Sequence, residues 1–245
     1  MIEQTIDIAT RDGATTTFIV HPERDGPHPL ILFFMDAPAI REELRDMARR
    51  IAAVGYYVML PNLYYRRGVM ELADLPKLPE EAARARMFDL MDSLSTPLVM
   101  ADADALLDFA DRDPAAGPGP IATLGYCMSG QYAVNFAARY PDRVAAAASI
   151  YGVRLVTDRA DSPHLAAQKA KAELYFACAE TDIYAPREMV DALDQSLKAN
   201  GVLAEVEVYP GVHHGFAFPQ RPAFDKPAAE RHWERLFALW RRRIG

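Results

Sequence analysis

A chain of 245 residues is long enough to bury the core of one large α/β domain, and 51% hydrophobic with 25% charged residues is the balance of a soluble globular protein. A formal net charge of −7 without a basic block argues against a nucleic-acid partner; the densest basic run, Arg241, Arg242 and Arg243, suits a helix C-terminus. Two cysteines make no disulfide framework and no segment nears the ~18 apolar residues of a spanning helix, so the expectation is a cytoplasmic protein away from membranes.

In chain order, TIDIAT and TTTFIV flank Arg11, Asp12 and Gly13, an Asp-Gly hairpin signal. PLILFFMD is an unbroken apolar run suited to a strand buried on both faces. Residues 41–54 carry Leu44, Met47, Ala48 and Ile51 at helical spacing, Gly55 ends them, and YYVMLP is the next strand. Residues 61–80, broken by Gly68, Pro76 and Pro79, predict an irregular loop, and helices are expected around 80–93 and 97–111. IATLGY is a strand that runs straight into a helix, SGQYAVNFAARY. VAAAASIYG and ELYFACAE are strands, PREMVDALDQSLKAN a helix and AEVEVYP a last strand. The final helix carries Trp233, Leu236, Phe237 and Trp240 as an apolar stripe. This alternation predicts a mostly parallel sheet with helices on both faces, in a single domain over residues 1–245.

Chemistry concentrates where IATLGY meets its helix, in TLGYCMSGQYAV. A side chain on that turn is lifted above the carboxyl edge of the sheet, and the helix start favours a thiolate at Cys127. Ser129 lies about 200° further round the helix, and its small size suits packing. A nucleophile needs a base and an orienter. YPGVHHGFAF follows the last strand and offers His213 or His214 as the base. ACAETDIYAP offers Asp182 as the orienter, with Glu180 as its local competitor. Cysteine, aspartate, histidine is the chain order of an α/β-hydrolase triad.

GYCMSG, AETDIYAP and HHGFAF resemble the three motif regions of the dienelactone hydrolase family, α/β-hydrolases with a cysteine nucleophile. The likeness extends through MDAPAIREEL and LPNLYYR. It implies Cys127 as nucleophile, Asp182 as acid and His214, directly before Gly-Phe, as the histidine, with His213 at a variable position. It further implies an oxyanion hole from the backbone N–H groups of Met128 and Ala37, and a carboxylate at Asp36 that tunes the resting thiol. Family members acting on dienelactone hold the substrate carboxylate with arginines, one of them shortly after the catalytic histidine. Here Phe218 stands at that place and Arg221 comes later. Arg86, Tyr64, Phe216 and Phe218 are the candidate substrate contacts, with Arg66 and Arg67 further cations of the irregular region.

The expected function is hydrolysis of a small-molecule ester or lactone through a thioester acyl-enzyme, with no cofactor and no metal. The alternatives are a ligand-binding member of the same fold without activity, or a carboxylesterase of unrelated substrate class. Nothing in the sequence sets an oligomeric state.

Overall fold

A computed structural model describes residues 1–245, in which eight strands and seven α-helices alternate through two compact units, Met1–Pro118 and Gly119–Gly245. In the first unit β1 (Ile2–Thr10) and β2 (Gly13–His21) form the hairpin, with Thr10 opposite Gly13. Gly13 takes φ +145°, which its lack of a Cβ permits. β2 pairs antiparallel with β4 (Tyr57–Pro61), and β4 pairs parallel with β3 (Leu30–Phe34), giving the order β1-β2-β4-β3. Every residue of β3 and β4 is buried, as their unbroken apolar runs require. α1 (Glu42–Ala52) buries Leu44, Met47, Ala48 and Ile51, the spacing read in the sequence. The irregular region holds two 3-10 turns, Tyr65–Arg67 and Leu72–Asp74, before α2 (Glu80–Asp92) and α3 (Thr96–Ala110). α2 buries only Leu90 and Met91; α3 is capped by Ser95 Oγ, which accepts from the Leu98 N–H.

The second unit is a run of parallel strands, β5 (Ile121–Tyr126), β6 (Val144–Ile150), β7 (Glu173–Thr181) and β8 (Ala204–His213), neighbours in that order. Between and after them come α4 (Gly130–Arg139), α5 (Pro163–Ala166), α6 (Arg187–Ala199) and α7 (Lys226–Arg243). Parallel register brings the residues that follow each strand to one carboxyl edge. Tyr126 is level with Ile150, Ile150 with Ala177, and Thr181 with His213. Cys127, Tyr151, Asp182 and His214 are the next residues along those four strands, which is how distant sequence positions become neighbours.

Three details depart from the sequence reading. The helix after β5 starts at Gly130, because Cys127–Ser129 is a separate 3-10 turn. β8 runs beyond AEVEVYP to His213, across a register break between Ala179 and Thr181 on β7. The buried face of α7 is Ala228, Ala229, His232, Trp233, Leu236, Leu239 and Trp240, so it includes a histidine, while Phe237 is only half-buried beside it. No helix is long and apolar enough to cross a membrane.

Candidate active site

The turn after β5 is made by small residues. A Cβ on Gly125 would lie 2.0 Å from the Ser129 carbonyl oxygen, so glycine alone lets the chain double back there. Cβ atoms on Gly130 and Gly152 would fall 2.2 and 2.1 Å from Ser149 Oγ, so their absence allows the start of α4 to sit against the end of β6. Cys127 stands on this turn at φ +52°, a left-handed conformation that costs a non-glycine residue roughly 1–3 kcal/mol and needs outside support. Its carbonyl accepts from the N–H groups of Gly130 and, at 3.1 Å, Val153. Cys127 is half-buried, and Met128 and Ser129 are fully buried behind it.

Asp182 follows β7 with its side chain wholly buried. Its Oδ1 accepts from the backbone N–H groups of Tyr184 at 2.8 Å and Ala185 at 3.0 Å. That leaves Oδ2 facing His214, whose Nδ1 lies 2.7 Å away. A carboxylate accepts, so Nδ1 carries a proton and Nε2 is the ring atom left to face Cys127, whose charge acts on His214. Burial alone would push the imidazole pKa down. The hydrogen bonds to Asp182 and Cys127, with the charges of both, outweigh burial and raise it to about 10.

Two tyrosines bracket the imidazole edge-on, Tyr151 at 4.9 Å and Tyr184 at 5.0 Å between ring centroids. Sequence reasoning did not single them out. Tyr151 was findable, being the residue directly after β6 at the edge where Cys127 follows β5. Phe216 and Phe218 are fully buried: Phe216 packs on Tyr151 and Tyr209, and Phe218 on Tyr126 and Tyr151. They form a layer behind the histidine where the sequence suggested a wall open to substrate. His213 is exposed, and Glu180 accepts from the Gly211 N–H at 2.7 Å, shaping the end of β8. Cys178 is buried within β7; burial first, then the Asp182 charge, pushes its thiol up to about 12.

The remaining sequence candidates belong to the first unit. Asp36 gives both oxygens to Arg41, at 2.6 and 3.1 Å, and Arg41 also holds Glu43 at 2.9 Å. The carboxylate expected to tune the thiol is thus ion-paired with a cation five residues on. Ala37 is buried, and its carbonyl accepts from Tyr64 Oη at 2.9 Å. Tyr64 is itself fully buried, so it fastens this loop rather than presenting a face to a ligand. Arg66 is forked onto Asp102 and also binds Asp12; Arg67 binds Asp89. Arg86 on α2 lies 3.8 Å from Asp89 with its side chain 40% exposed, a surface pair on a helix. No group of three or more His, Cys, Asp or Glu side chains is arranged to hold a metal ion.

Comparison with known proteins identifies the family and the fold. The model of the dienelactone hydrolase family matches residues 15–243. A Methylorubrum extorquens protein named "Putative carboxymethylenebutenolidase" is 28% identical over 250 aligned residues, covering 100% of this chain and 82% of the relative. An Escherichia coli K12 protein of the same name is also 28% identical, over 91% of this chain and 80% of its own. Among solved structures, a "Putative Dienelactone Hydrolase" from Klebsiella pneumoniae superimposes with a TM-score of 0.87 at 25% identity, covering 98% of both chains. A match spanning nearly the whole length, in sequence and in backbone, means that this chain is a hydrolase of the dienelactone hydrolase family with the α/β-hydrolase fold.

Proposed function

We propose that the chain hydrolyses an ester or lactone through a thioester on Cys127, with His214 as proton carrier and Asp182 as its orienter. One observation supports this reading: His214 bonds Asp182 at 2.7 Å at the same strand edge where Cys127 stands on a left-handed turn. An imidazole with its pKa raised to about 10 is protonated at neutral pH, and a cation there is the counter-charge a thiolate needs.

The thiolate sulfur attacks the carbonyl carbon, and the π electron pair moves onto oxygen. The backbone N–H of Met128 is the donor for that oxyanion supplied by the turn itself, and the family resemblance assigns a second donor to Ala37. Each is worth about 3 kcal/mol of transition-state stabilisation. As the tetrahedral adduct collapses, the C–O bond breaks and the leaving alkoxide or enolate takes the proton from His214 Nε2. Neutral His214 then removes a proton from water, the hydroxide attacks the thioester, and the C–S bond breaks to restore the thiolate. The carboxylic acid leaves. The two relatives described above are each named "Putative carboxymethylenebutenolidase", so a lactone is the first substrate class to test.

The test measures turnover of p-nitrophenyl acetate and of dienelactone, before and after one equivalent of iodoacetamide. Alkylation of Cys127 and the substitution Cys127→Ala should each lower kcat by at least about 10³-fold. Ser129→Ala should leave it unchanged. Full activity in Cys127→Ala overturns the reading.

A further inference from the structure

Behind the nucleophile turn lies a buried polar pair that the proposed reaction does not use. Tyr126, the last residue of β5 and the chain neighbour of Cys127, is fully buried. So is His232, on the inward face of α7. Tyr126 Oη and His232 Nε2 are 2.9 Å apart. The other ring nitrogen, Nδ1, contacts the Ala229 carbonyl one turn back in the helix. A carbonyl only accepts, so Nδ1 carries a proton, which leaves Nε2 as the ring atom that meets Tyr126 Oη. The helix backbone therefore sets the tautomer that receives the tyrosine.

An apolar residue at 232 would simply extend the stripe of Ala228, Ala229, Trp233, Leu236 and Trp240. A histidine buried there has to be satisfied, and the side chain that satisfies it belongs to the residue before Cys127. The tyrosine ring is gripped from its other sides as well, by Phe218 at 5.2 Å and Tyr151 at 5.7 Å. Tyr151 in turn packs on His214 at 4.9 Å. Cys127 holds φ +52°, a conformation that persists only where its surroundings over-determine it. Tyr126 is fixed twice, its backbone by pairing with Ile150 and its hydroxyl by His232.

We propose, resting on Cys127 as the nucleophile, that His232 is a positioning residue for it and acts through Tyr126. The Oη–Nε2 bond holds the end of β5 so that Sγ stays within hydrogen-bond reach of His214.

Tyr126→Phe, His232→Leu and the double variant test this, with Cys127→Ala as control. The readouts are kcat and KM on p-nitrophenyl acetate, the pH dependence of Cys127 alkylation followed by mass spectrometry, and the melting temperature. Each single variant should lower kcat by between about 10- and 100-fold with a smaller change in KM, as displacement of a reacting group does. The alkylation profile should move along the pH axis, and the double variant should be no slower than the slower single. His232→Gln, whose amide oxygen can accept from Tyr126 Oη, should recover part of the loss. A fall in melting temperature with kcat and the alkylation profile unchanged overturns the proposal, as do losses that multiply in the double variant. If His232→Leu does not fold, Tyr126→Phe, which deletes one oxygen, decides by the same readouts. Full activity in Cys127→Ala overturns the nucleophile assignment, and this proposal with it, whatever the other variants do.

Discussion

At the scale of single residues, the site joins a strained backbone to a tightly held side chain. Cys127 sits in the left-handed region, where a non-glycine residue costs ~1–2 kcal/mol. Glycine there carries no such cost but loses roughly 0.4–1 kcal/mol more chain entropy on folding than alanine, so a net gain of about 1 kcal/mol should make Cys127→Gly melt about 2–4 °C above Cys127→Ala by calorimetry. Neither should turn over ester, and equal melting temperatures would show that the turn is unstrained. The sequence showed which kinds of residue the site uses more readily than which oxygen or ring nitrogen does what. In ACAETDIYAP, Glu180 and Asp182 differ by two positions beside a register break between Ala179 and Thr181, and Glu180 bonds the Gly211 N–H while Asp182 bonds the histidine. No residue type announces that break. The Asp36–Arg41 pair was hidden for a similar reason: Ala39 at φ +77° folds the loop back so that Arg41 meets Asp36, and alanine gives no sign of a left-handed turn. Phe216 and Phe218 read equally well as core or as pocket wall, until packing with Tyr209 and Tyr151 makes them core.

At the scale of elements, parallel pairing does the assembly. Strands and long helices were legible because apolar runs and three-to-four spacing follow directly from which faces are covered, as β3, β4 and α1 illustrate. α5 was not legible, since four residues give no period to read. The contact of α4 with the end of β6 depends on missing side chains, which makes it testable. A Cβ on Gly152 would come within 2.1 Å of Ser149 Oγ, with its next neighbours at 3.3 Å. Gly152→Ala should therefore cost about 1–3 kcal/mol in chemical denaturation, the usual penalty for overpacking. Ser149 Oγ has no hydrogen-bond partner, so adding Ser149→Ala should recover most of that loss. Additive destabilisation by the two substitutions would place the strain elsewhere.

At the scale of the whole molecule, stability should follow pH with a plateau between about 4.5 and 6.5, the ordinary values of the groups involved. Glu173 is lowered by hydrogen bonding to Arg242, and next by Arg243, against burial. For Glu207 burial raises, but Tyr175 and Arg231 outweigh it. A lowered carboxylate stabilises above its unfolded value, and that contribution is lost as pH falls. His214 is raised to about 10, so its contribution is complete below about 6.5 and is lost as pH climbs towards 10. Burial of the Cys178 thiol adds a loss in the same direction, at still higher pH. Melting curves across pH should show both limbs; His214→Gln should flatten the alkaline one and Glu207→Gln should shallow the acid one. An unchanged alkaline limb in His214→Gln would separate the histidine from it. The strand order carries a last consequence, for inheritance. Cys127, Asp182, His214, the tyrosines beside them and His232 all come from residues 119–245. A distant protein aligning only with that stretch would bring all of these side chains with it, though not the donor that the family resemblance assigns to Ala37. One aligning only with residues 1–118 would bring none of them, however close the likeness. Where homology falls along the chain is therefore better evidence of shared chemistry than how much of it there is.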